Sequence, residues 1–211
     1  MDSCSISLIV PCIMHGIINM KNIVIIGLLL FNNVHAAGDP IAGKTKAIHC
    51  ISCHTMDGNS KIQIYPKLAG QHEAYLIKTM KNYRDKVRDV PTMYTIAKKY
   101  FNNDTDIADL AAHFASQKSD TCIQQPQASQ VGKMKIDSCA VCHQSDGNSV
   151  LPFFPKLAGQ HKEYLIKSMQ AYKNGDRQEA QMSQMALLFG DDTDIENIAT
   201  YFAAQKSDTC K

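Results

Sequence analysis

The chain has 211 residues, with 22 Lys+Arg against 20 Asp+Glu and a formal net charge of +2. So near-neutral a balance leaves no strong electrostatic bias toward nucleic acid or acidic lipid. Once a leader is set aside, about 175 residues remain in two repeats of roughly 85 to 90, a size at which protein alone buries only a modest core.

In chain order, the first feature is an export signal. From Met20 there is a short charged region with Lys21, an apolar stretch from Ile23 to Phe31, and a Val34-His35-Ala36 ending suited to cleavage before Ala37. That stretch is too short to span a bilayer. The residues ahead of it include Pro11 and His15 and resemble no usual charged region, so Met20 is the expected start, residues 1–36 the leader, and Cys4 and Cys12 irrelevant. An uncleaved anchor from Ile6 to Phe31 would have to tolerate His15, Asn19 and Lys21 near its middle.

Asp39-Pro40 places a capping side chain before a proline at the first helical position, which predicts a helix running into Cys50-Ile51-Ser52-Cys53-His54. That run, and Cys139-Ala140-Val141-Cys142-His143 further on, read as covalent c-type haem sites. Two thiols three residues apart on one helical turn can each add across a haem vinyl group, and the adjacent histidine is carried under the iron as proximal ligand. A bare CxxC also serves thioredoxin-like redox pairs and half zinc sites. The first would want a βαβ setting, which the pattern lacks, and the second more Cys or His at ligand spacing than either half provides.

The two motifs belong to a longer repeat. Asp57-Gly58-Asn59-Ser60 returns as Asp146-Gly147-Asn148-Ser149, PKLAGQH at 66–72 returns at 155–161, and Tyr75-Leu76-Ile77-Lys78 returns as Tyr164-Leu165-Ile166-Lys167. After a single-residue gap, Asp104-Thr105-Asp106-Ile107 matches Asp192-Thr193-Asp194-Ile195, and QKSDTC at 117–122 matches 205–210. The expected organisation is a domain over 37–122, a polar linker over 123–131 and a second domain over 132–211. Stripes such as Ile107, Leu110, Ala111 and Phe114, with Ile195, Ile198, Ala199 and Phe202, keep helical spacing, and nothing alternates with period two for long, so the class is all-α.

Each iron needs a sixth ligand. Met93 and Met182 stand at the same offset from His54 and His143, each four residues before an alanine (Ala97, Ala186) expected to open the next helix. Met80 and Met169 sit in a helix stripe and suit core filling; Met185 has Ile96 as its counterpart, and Met56 follows His54 too closely. His72, His161 and His113 are expected at the surface or at caps.

CxxCH, DGNS, PKLAGQ, YL near the start of a long helix, a late Met and DTDI before the last helix, all in duplicate, resemble the dihaem cytochrome c4 family over nearly all of the mature chain. The resemblance implies two class I cytochrome c domains related by an approximate twofold axis, with two covalently bound haem c groups. It further implies an electron shuttle in the bacterial periplasm, from a quinol-oxidising complex such as quinol-cytochrome c reductase toward a terminal oxidase or reductase. By the same resemblance, the carbonyls of Pro66 and Pro155 accept a hydrogen bond from His54 and His143. Family members usually carry a glycine after the long helix; Gly175 keeps it, whereas Lys86 stands at the matching position and must strain or choose another turn, so the loops feeding Met93 and Met182 are expected to differ. Arg88 and Arg177 match across the repeat and suit either a propionate or solvent. Cys122 and Cys210 become symmetry mates, and an oxidising compartment favours a disulfide between them if they approach the axis.

His/Met coordination saturates the metal, so the expected activity is electron transfer rather than catalysis. A dihaem peroxidase would need a displaceable ligand. An electron-entry subunit of a membrane oxidase or dehydrogenase would need the anchor, and association with a membrane surface stays open.

Overall fold

The computed structural model describes residues 38–125 and 129–210. Residues 1–36, with the expected start at Met20, the cleavage before Ala37, Cys4 and Cys12, lie outside the described residues, as does the middle of the 123–131 linker. Among the described residues there are helices and two isolated β-bridges but no strand.

In the first half Asp39 accepts a hydrogen bond from the Ile41 amide and Pro40 opens α1 (Pro40–Lys46). The helix does not run unbroken into the first haem motif. A 3-10 turn over Ala47–His49 and a bend at Cys50 intervene before α2 (Ile51–His54). Tightening to three residues per turn sets positions i and i+3 over one another, and Ala47 and Cys50 both enter the core with Leu76, Phe101 and Ile107. Three longer helices follow: α3 (Glu73–Arg84), α4 (Pro91–Tyr100) and α5 (Asp104–Ser116).

The second half repeats the plan with α6 (Gln130–Lys133), α7 (Asp137–His143), α8 (Lys162–Asn174), α9 (Ala180–Leu187) and α10 (Asp192–Ala203). Its core is built from the counterparts of the first: Leu165, Phe189, Ile195, Ile198, Ala199 and Phe202 for Leu76, Phe101, Ile107, Leu110, Ala111 and Phe114. Burying each such side chain contributes about 1.5 to 3 kcal/mol. The closing helices start at matched caps, Asn103 accepting from the Asp106 amide and Asp191 from the Asp194 amide.

Glycine sets how closely the first and last helix of each half cross. A Cβ on Gly43 would lie 1.9 Å from the Asp109 carbonyl oxygen, and one on Gly132 2.2 Å from that of Asn197. These are backbone contacts that cannot yield, so any side chain would force α1 off α5 or α6 off α10.

The loop after the long helix corrects one expectation. Lys86 takes the left-handed conformation at φ 58°, beside 81° at Gly175. Both turns then close alike, the Arg88 amide donating to Asn82 O at 3.0 Å and the Arg177 amide to Ala171 O at 2.9 Å. Lysine accepts the strain instead of choosing another turn, and its ammonium lies 4.5 Å from the centroid of the Tyr94 ring.

Candidate haem sites

Each CxxCH lies where a short helix ends against the core. Cys50 is buried, Cys53, Cys139 and Cys142 are half-buried, and all four are free thiols. Burial pushes the Cys50 thiol up to about 12, with Cys53 adding to the effect, and burial likewise raises Cys139. A thioredoxin-type pair needs the reverse, a thiol drawn down toward the thiolate. Among the described residues no group of three or more His, Cys, Asp or Glu could hold a metal ion, so the half-zinc reading finds no remaining ligands.

His54 and His143 end α2 and α7 and are buried. The next residue reverses the chain with positive φ, 64° at both Thr55 and Gln144. The loop then returns so that His54 Nδ1–H donates to Pro66 O at 2.9 Å and His143 Nδ1–H to Pro155 O at 2.8 Å. Because a carbonyl can only accept, the proton sits on Nδ1 and the Nε2 lone pair is left for a metal. Burial lowers the pKa of both imidazoles, with the prolyl hydrogen bond pulling the other way, so both stay neutral as ligation requires.

The DGNS repeat, identified as sequence identity without a role, supports the attachment segment. Ser60 Oγ donates to Cys53 O and Ser149 Oγ to Cys142 O, each at 2.7 Å. Asn59 Nδ2 donates to Lys118 O while its Oδ1 accepts from the Asp120 amide, and Asn148 does the same with Lys206 and Asp208. The haem loop is thereby tied to the QKSDTC run.

Met93 and Met182 are half-buried and occupy the third position of α4 and α9. This corrects the expectation that Ala97 and Ala186 open those helices: both alanines are fully buried one turn further along the same helix. A proline at the first helical position starts α4 early. Met80 and Met169 pack against the two cores as helix-stripe residues.

Of the histidines expected at the surface or at caps, His72 and His161 stand at the N-caps of α3 and α8, while His113 is not at the surface. His113 is buried and donates from Nε2 to Met56 O at 2.9 Å. His72 Nε2–H donates to Ser149 O at 2.7 Å and His161 Nε2–H to Ser60 O at 2.8 Å, so each reaches from its own half to the haem-loop serine of the other.

The arginines also cross the seam between the halves. Arg88 Nη2 donates to Tyr164 Oη at 3.3 Å and Arg177 Nη2 to Tyr75 Oη at 3.0 Å. Arg88 lies over Tyr83 at 4.8 Å and Arg177 over Tyr172 at 4.4 Å. Burial opposes ionisation of the Tyr164 phenol, yet the two guanidinium charges outweigh it and draw its pKa down. Arg88 Nη1 is buried with no hydrogen-bond partner among the described residues. An orphaned cationic donor beside uncompensated positive charge fits an anionic substituent such as a haem propionate.

Cys122 and Cys210, the expected disulfide partners, are both half-buried. Ser119 pairs with Cys210 and donates its amide to Thr209 O, while the Ser207 amide donates to Thr121 O. The early end of each QKSDTC run thus meets the late end of the other, with Ser119 set against Cys210.

Comparison with known proteins agrees with this architecture. The cytochrome c family model matches residues 37–118 and 130–206. Cytochrome c4 of Pseudomonas aeruginosa is 38% identical over 153 residues, 68% of this chain and 75% of that protein. Cytochrome c4 of Azotobacter vinelandii is 36% identical over 162 residues, 68% of this chain and 76% of that protein. The crystal structure of reduced recombinant cytochrome c4 from Pseudomonas stutzeri superposes with a TM-score of 0.71 at 31% identity, covering 80% of this chain and all of that one. With two tandem all-α cytochrome c domains and a CxxCH in each to hold a covalent haem c, the chain belongs to the cytochrome c4 family of dihaem electron carriers.

Proposed function

We propose that this electron carrier works in the periplasm, taking single electrons from a quinol-oxidising complex and passing them to a terminal oxidase or reductase, with His54/Met93 and His143/Met182 as the axial pairs. The observation that carries the reading is the matched imidazole geometry: in both halves Nδ1–H is engaged by a prolyl carbonyl and Nε2 is left free. Haem c supplies a one-electron Fe(III)/Fe(II) couple.

The protein's contribution is to hold that couple fixed. Cys50, Cys53, Cys139 and Cys142 would anchor the rings, Pro66 and Pro155 orient the imidazoles, and a methionine on the opposite side would close the sixth position. With both axial positions filled in this way, the residues would leave little to rearrange on electron exchange and no place for a substrate. Among the described residues no helix is long and apolar enough to cross a membrane.

Purified holoprotein tests the reading. Mass spectrometry should give the polypeptide plus two haems, and visible spectra should show low-spin iron throughout. Reduction by a quinol-oxidising complex should be fast, whereas turnover of hydrogen peroxide at about 1 per second or above would favour a peroxidase.

A further inference from the structure

We propose that each domain tunes the proximal histidine of the other through one glutamine, Gln160 acting on His54 and Gln71 on His143. The Lys67 amide donates to Gln160 Oε1 at 2.8 Å and Gln160 Nε2 donates to Lys67 O at 3.0 Å. The Lys156 amide donates to Gln71 Oε1 at 2.9 Å and Gln71 Nε2 donates to Lys156 O at 3.0 Å. Lys67 N–H belongs to the peptide whose carbonyl is Pro66 O, the acceptor of His54 Nδ1–H. Lys156 N–H likewise belongs to the peptide carrying Pro155 O, the acceptor of His143 Nδ1–H.

A single peptide group therefore stands between each imidazole and a glutamine of the opposite domain. Both glutamines are 7% exposed, so water does not compete for these bonds. Their orientation is fixed, because each Oε1 accepts a second backbone amide, His72 N–H at Gln71 and His161 N–H at Gln160. Drawing on a peptide N–H polarises its carbonyl and makes the oxygen a better acceptor. A better acceptor at Nδ1–H gives the imidazole more anionic character, and a more basic ligand favours the ferric state. Each glutamine thus holds down the potential of the haem in the other domain, and a change of charge at one iron reaches the opposite domain through three consecutive polar groups. The inference rests on His54 and His143 being the haem ligands.

The test replaces each glutamine by leucine, which keeps volume and removes the acceptor, in the holoprotein. Two-haem mass and a low-spin spectrum in both variants establish that the ligation stands, so loss of either would fault the ligand reading and not the coupling. Gln160→Leu should raise the potential of the haem on His54 by about threefold in redox equilibrium constant, about 28 mV at 59 mV per decade for one electron. It should also move the His54 Nδ1–H NMR resonance toward that of a weaker hydrogen bond and leave His143 in place. Gln71→Leu should do the converse. Equal shifts at both haems in each variant, a shift confined to the glutamine's own domain, a fall in potential, or no change would overturn the proposal, since loosening of the seam alone would not select the opposite haem.

Discussion

At the residue scale, the proximal side is set by local sequence and the distal side is not. Two cysteines and a histidine on one helical turn carry their chemistry in their spacing, which is why both haem motifs are legible without a structure. Met93 and Met182 became candidates only because the repeat kept their offset. Their place inside α4 and α9 follows from helices that open at Pro91 and at its counterpart Ala180 and bury Ala97 and Ala186 in the next turn. Met182→Ala should abolish the methionine-to-iron absorption band of the second haem and lower its potential by at least about 60 mV, a tenfold change in redox equilibrium constant. Spectra and redox titration of that variant beside Met185→Ala check the assignment; a full-strength band in Met182→Ala would move the ligand to Met185. His72 and His161 stand at helix caps as expected, but that they reach across to Ser149 and Ser60, and that His113 is buried against Met56 O, was not legible, because a lone histidine carries no sign of which carbonyl it will meet.

At the element scale, helix starts and crossings followed from caps and glycines, while the turn after the long helix was misjudged. Lysine in a left-handed turn costs about 1 kcal/mol and was expected either to bear that strain or to take another turn. The shared bond from Arg88 N–H to Asn82 O, with its Arg177 counterpart, holds the turn against that cost. Gly175→Ala should lose about 1 kcal/mol although nothing lies within 4 Å of the new Cβ, because the penalty is in φ and not in space. Lys86→Gly should gain less than that, since glycine adds unfolded-state entropy and the contact with Tyr94 is lost. Heat unfolding reads both, with a shift of about 2 to 4 °C per kcal/mol for a protein of this size. The helix pair α4 and α9 also differs at its end: Lys98 and Lys99 in the first half stand where Leu187 and Leu188 lie exposed in the second. Tyr100 stacks on His49 at 3.7 Å between centroids, a contact the shorter α9 lacks.

At the scale of the whole molecule, the seam between the domains carries a pH dependence. Burial holds the His161 imidazole below its ordinary 6.5, with the Ser60 carbonyl raising it and Lys67 lowering it further. A depressed histidine favours the neutral folded form, so its contribution is complete above about 6.5 and is lost as pH falls below that value. Asp120, beside it, is held at about 2: burial would raise it, but Lys61 and Lys67 prevail, so it titrates outside this window. The unfolding midpoint should therefore fall between about pH 7 and pH 5, and His161→Gln, which can still donate to Ser60 O without titrating, should flatten that limb. Thiol titration of unfolded, unreduced holoprotein decides the pairing of Cys122 and Cys210: an internal bridge should leave no reactive thiol on a monomer, and two reactive thiols per chain would rule it out. Sequence by itself determined the all-α class, the tandem repeat and the proximal half of each haem site, because capping, helical spacing and the CxxCH turn act over a few neighbouring residues. Tertiary structure alone decided the seam: PKLAGQH was legible as an identity, but that Gln71 grips Lys156, Arg88 reaches Tyr164 and His161 holds Ser60 follows from bringing together residues some 75 to 100 positions apart, and pairing at that distance is set by how two finished cores pack.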